Sequence, residues 1–269
     1  MKVGWIGLGQ MGRLMAMRVL QAGHELAGHS REFSRHADVA AAGGVLTGSV
    51  VETAQTAEVL CVNLFDDGQL TDVLIDGGAL AAMRPGSVLA VHTTGAAAVI
   101  QDLAQRAPEG VAVLDATFSG HAGMLKAGDH VTLMVGGEAA ALERVRPVLA
   151  AYCDPILLIG EVGAARRLKL INNMLYAAHL SLACEAVEAA EQMGLDHRAA
   201  VTAIRLSSGA SAAFDRFTGD ASVAEVKATA QHWLDKDTDT ARAAARELGI
   251  AIPLLDRAAR WGSNSEVRG

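Results

Sequence analysis

Six residues near the amino end, Gly7-Leu8-Gly9-Gln10-Met11-Gly12, space three glycines as G-x-G-x-x-G. That spacing can hold a dinucleotide on bare backbone. Gly7 permits a tight turn, Gly9 lets the main chain approach the pyrophosphate, and Gly12 lets the next helix lie close to the preceding strand. Leu8, Gln10 and Met11 belong to the same turn, and the helix start supplies free N–H groups and a positive dipole end to the phosphates. Alone the motif also describes a glycine turn without a ligand; an apolar run before it and a helical pattern after it favour the nucleotide. The 2′ position of the adenosine ribose is read about 20 residues further on. There the sequence has His29-Ser30-Arg31-Glu32, with no acidic residue ending the strand. Ser30 and Arg31 offer a hydroxyl and a planar cation to a 2′-phosphate, so NADP is expected over NAD. Arg35 could add charge. Glu32 keeps NAD open, since its carboxylate could take a ribose hydroxyl or pair with an arginine.

The elements that must position these residues follow from periodicity. Residues 3–6, 59–64, 88–91, 111–114 and 131–135 form short apolar runs, residues 24–28 a weaker second strand, and helical patterns lie between them, including 11–21, 69–83, 96–105 and 138–149. Near-continuous apolar strands alternating with helices predict a parallel, doubly wound α/β sheet of the Rossmann type. After residues 156–159 and Gly160 no clear strand follows. Residues 164–193 predict one helix of about 45 Å at 1.5 Å per residue, with Gly194 as its C-terminal cap. Further helices are expected over 197–206, 223–233, 236–248 and 253–261. The expected organisation is a dinucleotide-binding domain over 1–160 and an all-helical substrate and oligomerisation domain over 161–269.

Bulk properties narrow the function classes. The chain has 269 residues, 51% of them hydrophobic, enough for a large core. A net charge of -7 without a long basic cluster, and only 4% aromatic residues, argue against nucleic acid as partner. Three widely spaced cysteines, Cys61, Cys153 and Cys184, show neither a disulfide framework nor metal-ligand spacing. The nine histidines form no metal pattern. With no signal-peptide core and no long uninterrupted apolar stretch, a cytoplasmic protein without membrane or metal is expected.

Met15-Ala16 after the glycine motif, and three later segments, resemble the β-hydroxyacid dehydrogenase family, which contains 3-hydroxyisobutyrate dehydrogenase and tartronate semialdehyde reductase and is related to 6-phosphogluconate dehydrogenase. Asp115-Ala116-Thr117-Phe118-Ser119-Gly120-His121 is similar to the family's D-A-P-V-S-G-G. The resemblance implies that Ser119 and Gly120 hold a substrate carboxylate, as a small hydroxyl and bare amides can. Thr117 and His121 depart from the pattern, and His121 is either a substrate contact or a solvated loop residue. Residues 160–173 resemble G-x-x-G-x-G-x-x-x-K-x-x-N-N, with Ala165 replacing a glycine. The resemblance implies that Lys169 is the general acid/base and that Asn173, four residues on and on the same helical face, holds substrate and lysine. An ammonium beside a carbonyl oxygen can indeed polarise it and donate a proton as hydride arrives. Leu234-Asp235-Lys236-Asp237 resembles K-D-L, which implies that Lys236 reaches the cofactor or active site. Val91-His92-Thr93-Thr94 occupies the family's S-T turn, which implies Thr94 beside the nicotinamide, and Leu64 fits a cofactor-contacting loop.

The family reading implies hydride transfer between NADP(H), or NAD(H), and a small hydroxy acid or semialdehyde, in a homodimer or homotetramer. Plainer readings stand beside it. Lys169 could belong with Arg166 and Arg167 to a solvated basic face, Lys236 could be a charged helix start, Asp66-Asp67 a solvated turn, and Met11, Met15 and Met17 core filler. A catalytically inactive NADP-binding interaction module and an imine reductase are the rival functions. Imine reductases usually lack the lysine, and no G-x-S-x-G elbow supports a hydrolase.

Overall fold

The computed structural model describes residues 1–30, 32–219 and 221–260. The chain divides into two compact units, Met1–Lys169 and Leu170–Gly269.

The first unit opens with β1 (Lys2–Ile6), α1 (Gln10–Gln21), β2 (Glu25–His29), α2 (Ala37–Ala41), β3 (Val45–Leu46), α3 (Val50–Gln55), β4 (Val59–Val62) and α4 (Asp67–Thr71). It continues through β5 (Val88–Val91), α5 (Ala97–Arg106), β6 (Ala112–Ser119), α6 (Ala122–Ala127), β7 (Val131–Gly136), α7 (Ala139–Leu149) and β8 (Cys153–Gly160). The strands form one sheet in the order β3-β2-β1-β4-β5-β6-β7-β8. Strand alternation explains its near-continuous apolar runs: Val3, Trp5, Val59, Cys61, Val88 and Ala90 enter one core. Ile6, Leu60, Val62, Leu89 and Val91 enter a second core. Met15 is buried in the first core, with Met11 and Met17 packed against it, so the methionines are filler as expected.

The sheet departs from the all-parallel expectation in one place: β6 and β7 pair antiparallel, whereas the other neighbours run parallel. A parallel return needs a crossover of about a dozen residues or more. The link from Ser119 to Val131 carries only the six-residue α6, so β7 starts at the end where β6 finishes. The expected helix over 69–83 is instead α4 followed by a π-turn over Asp72–Asp76, closed at Gly77 and at Gly78, whose φ is +75°.

The second unit is helical. α8 (Ala164–Gln192) starts in the first unit and runs into the second. α9 (His197–Arg205), a short 3-10 turn over Ala212–Arg216, α10 (Val223–Glu247) and α11 (Pro253–Ala258) follow. Gly194, at φ +80°, follows the end of α8. Two helices were expected where α10 runs unbroken: residues 223–247 contain neither glycine nor proline to stop it. Its Ser222 start is a capping box with Glu225. Met174, Leu180, Val187, Val201, Phe214, Phe217, Val226 and Leu234 form this unit's own core. Among the described residues no helix is long and apolar enough to cross a membrane.

Candidate active site

The glycine turn joins β1 to α1, and its three glycines meet three different constraints. Gly7 has φ +96°, and a Cβ there would collide with the Asn63 carbonyl at the end of β4. A Cβ on Gly12 would collide with the Gly7 carbonyl and touch the Trp5 indole nitrogen; only a bare residue lets α1 pack so close to β1. Gly9 faces open space, and a Cβ there would meet nothing within 4 Å. It occupies the N-cap position of α1, and no side chain caps that helix start. Orphan amides at an uncovered helix start suit an anion, so these residues fit a pyrophosphate. The Leu8 side chain is buried in the first core, which leaves its backbone for any contact, and Gln10 is exposed.

After β2, the Ser30 hydroxyl lies 2.8 Å from His36 Nε2 and accepts the Glu32 N–H at 3.3 Å. Glu32 pairs with Arg35 at 2.5 Å on the exposed surface. Arg31, expected to read the 2′-phosphate, lies outside the described residues.

Two loops at the carboxyl ends of β4 and β5 are stitched together. The Leu64 N–H donates to Thr93 Oγ1 at 2.9 Å, next to half-buried Thr94. Asp67 corrects the expectation of a solvated turn. Its Oδ2 accepts the Ala96 N–H at 2.7 Å, and its Oδ1 accepts from Arg166 Nη1 at 2.8 Å. Arg166 Nη1 also donates to the Ala96 carbonyl at 2.9 Å. Arg166 is fully buried, Arg167 exposed and Lys169 half-buried, so the plainer alternative of a solvated basic face over Arg166, Arg167 and Lys169 does not hold for Arg166.

Asp115, on β6, takes the start of α8. Its Oδ2 accepts the Arg166 N–H at 2.8 Å, and Oδ1 lies 3.7 Å from Arg166 Nε. Burial raises its pKa to about 6, against the hydrogen bond and charge of Arg166. Thr117 adds a bond from Oγ1 to the Ala165 carbonyl at 3.3 Å. Thr117 is therefore buried against α8, and half-buried Phe118 packs on the first core. Ser119 is half-buried, and His121 is exposed at the N-cap position of α6. Gly120 has φ +149°, and a Cβ would strike Val131, so packing alone explains its bareness.

In the helical unit, Asn173 is buried, and its Nδ2 donates to Asp237 Oδ2 at 2.6 Å. Lys236 Nζ lies 3.4 Å from Asp237 Oδ1. Lys236 is thus mid-helix on α10 and not a charged helix start.

Sequence reasoning missed a second buried network beneath the β5 loop. His92 Nδ1 donates to the Ala116 carbonyl at 2.6 Å; in the neutral ring Nε2 then accepts the Tyr152 hydroxyl at 3.0 Å. Tyr152 in turn lies 3.8 Å from the Cys61 thiol. Burial lowers the His92 pKa to about 4 and raises Cys61 to about 12, so the neutral forms persist. Trp5 stacks on His92 with centroids 5.8 Å apart.

Comparison with known proteins assigns this arrangement. Residues 2–160 match the model of the NAD binding domain of 6-phosphogluconate dehydrogenase. Residues 163–264 match that of the NAD-binding domain of NADP-dependent 3-hydroxyisobutyrate dehydrogenase. The chain belongs to the β-hydroxyacid dehydrogenase family. It is an NAD(P)-dependent oxidoreductase acting on CH–OH groups. L-threonate dehydrogenase of Cupriavidus necator is 33% identical over 79% of this chain and 72% of its own length. NAD-dependent L-serine dehydrogenase of Pseudomonas aeruginosa is 33% identical over 77% and 70%. The crystal structure of 3-hydroxyisobutyrate dehydrogenase from Salmonella typhimurium superposes with a TM-score of 0.83 at 28% identity, covering 96% of this chain and 91% of that one.

Proposed function

We propose that this family member oxidises a small hydroxy acid, or reduces the matching semialdehyde or oxo acid, with NADP(H) as preferred cofactor and Lys169 as general acid/base. The supporting observation is the fastening of the first turn of α8: Asp115 holds the Arg166 amide, and Lys169 follows it closely on the same continuous helix. Gly7, Gly9 and Gly12 hold the pyrophosphate, with the backbone of Leu8, Gln10 and Met11. Ser30 and Arg31 read the 2′-phosphate, since a hydroxyl and a planar cation suit that group and no acidic residue ends β2. Leu64 and Thr94 stand at the nicotinamide end.

When bound, the nicotinamide would accept or supply the hydride. On oxidation a neutral Lys169 amine would take the hydroxyl proton, and on reduction its ammonium would return a proton to the carbonyl oxygen. Ser119 and Gly120, with His121 at the edge, bind the acid group. Asn173, steadied by Asp237 and through it by Lys236, orients lysine and substrate without adding charge. The L-threonate and L-serine relatives act on hydroxy acids, which makes these two the first substrates to test.

The test is Lys169→Ala assayed by NADPH absorbance in both directions with L-threonate, L-serine and small semialdehydes. Turnover falls about a hundredfold or more, the range for acid–base catalysis, while NADPH affinity is nearly unchanged; near-normal turnover removes Lys169 from the mechanism. In parallel, Arg31→Ala weakens NADPH far more than NADH, and equal losses for both remove the NADP preference. We further propose a homodimer or homotetramer joined through α8, where Ile171, Leu175 and Leu182 are exposed; a monomeric mass of 27.9 kDa in light scattering would refute it.

A further inference from the structure

Arg166 is the largest buried cation of the described residues and takes no part in the chemistry proposed above. Its guanidinium is sealed from solvent, and its Nε and Nη2 lack hydrogen-bond partners among the described residues. Such a group is a poor device for stability. A buried ion pair loses as much in desolvation as it gains in attraction, and apolar replacements often match or exceed its stability. What it supplies is geometry. Arg166 Nη1, Asp67 and Ala96 form a closed ring in which the Ala96 N–H and carbonyl are both taken. The three corners come from the start of α4, the loop after β5 and the first turn of α8. Gly95 completes the fit, because a Cβ there would collide with the Asp67 carboxylate.

We infer that Asp67 and Arg166 are a positioning pair that holds the nicotinamide-side loops, carrying Leu64 and Thr94, in register with the start of α8 that carries Lys169. This rests on the assignment of Leu64, Thr94 and Lys169 made under the proposed function. Neither residue touches the reacting atoms. The pair acts on the nicotinamide end of the cofactor and not on the pyrophosphate end, which the glycine turn holds by itself.

The experiment compares two ligands on the full-length protein: NADPH, and 2′-phospho-ADP-ribose, which lacks the nicotinamide. The ratio of their dissociation constants isolates the nicotinamide end. The variants are Arg166→Met, which keeps the stem without the charge, and the milder Asp67→Asn, which keeps an acceptor for the Ala96 amide; Asp67 is partly exposed, so this second variant tests the pair even if Arg166→Met does not fold. The wild type binds NADPH more tightly. In both variants 2′-phospho-ADP-ribose affinity stays within about twofold, the usual spread for uncoupled sites, while the NADPH advantage collapses toward unity. The double variant loses no more than the worse single one, because both changes break one ring. A general structural role would weaken both ligands together and overturn the pair's assignment, as would an NADPH advantage equal to that of the wild type. A wild type that binds the two ligands equally would instead overturn the nicotinamide assignment itself, and the positioning role with it.

Discussion

The glycine turn and the Arg166 junction lie in the same unit, and they solve the problem of holding a charged group in opposite ways. The turn uses no side-chain functional group: Gly7, Gly9 and Gly12 act by conformation, closeness and openness, all within six residues. The junction uses only functional groups, and it gathers them from Asp67, Ala96, Asp115 and Arg166, separated by up to 99 residues. The turn presents open amides to an anion from solution. The junction brings its own anions to a cation that solvent never reaches. A site of the first kind tolerates change everywhere except in its glycines. A site of the second kind fails when any corner is removed, since a buried charge is left without its partner.

The sharpest way to break that contrast is Asp115→Ala, which leaves the start of α8 uncapped and the Arg166 charge less compensated. Stability falls by about 3–5 kcal/mol, the usual loss for half of a buried pair, read by urea denaturation at neutral pH. A loss below about 1 kcal/mol, the size expected of an exposed pair, would mean that the junction is no more demanding than the turn.

The next effect is acid-dependent. The folded-state pKa of His92 is lowered to about 4 from 6.5, so its contribution to stability is complete above 6.5 and is lost as pH falls through that window. The loss amounts to about 3 kcal/mol at 1.36 kcal/mol per unit. Asp115 has the opposite sign: its raised value of about 6 returns stability as pH falls from 6 toward 3.8. His92→Gln therefore removes the acid-side loss and exposes the Asp115 gain. Thermal melts between pH 7 and 4 should become flatter or rise, and an unchanged acid limb would show that His92 titrates normally.

The smallest effect sharpens the turn's side of the comparison. Gly9→Ala meets open space at φ −69°, so melting is unchanged, yet the new methyl stands where phosphate must approach and NADPH binding weakens about tenfold, or ~1.4 kcal/mol. Gly12→Ala instead forces α1 off β1 and lowers both stability and binding. Equal behaviour of the two variants would erase the distinct roles given to these glycines.

Local pattern made much of this protein legible. The apolar runs at residues 3–6, 59–64 and 88–91 revealed parallel core strands, because period-two alternation feeds two cores at once. The 29-residue α8 was visible in an unbroken helix-forming stretch. The antiparallel β6–β7 pair was not, since it depends on how short a connection can be and still cross the sheet. The candidate site divides in the same way. Motif spacing named the glycines and the family resemblance named Lys169 and Asn173, but Asp67 read as a solvated turn and Arg166 only as a member of a possible solvated basic face with Arg167 and Lys169.

By itself the sequence determined where backbone must be bare, where strands and helices run, and which lysine stands near the start of α8, because steric freedom and hydrophobic period act over a few residues. Only the tertiary structure decided that Arg166 is sealed inside while Arg167 faces water, that Asp67 closes a ring with Ala96, and that Asp115 and His92 titrate away from their ordinary values. Those outcomes depend on which distant groups share a low-dielectric space, and no run of neighbouring residues encodes that sharing.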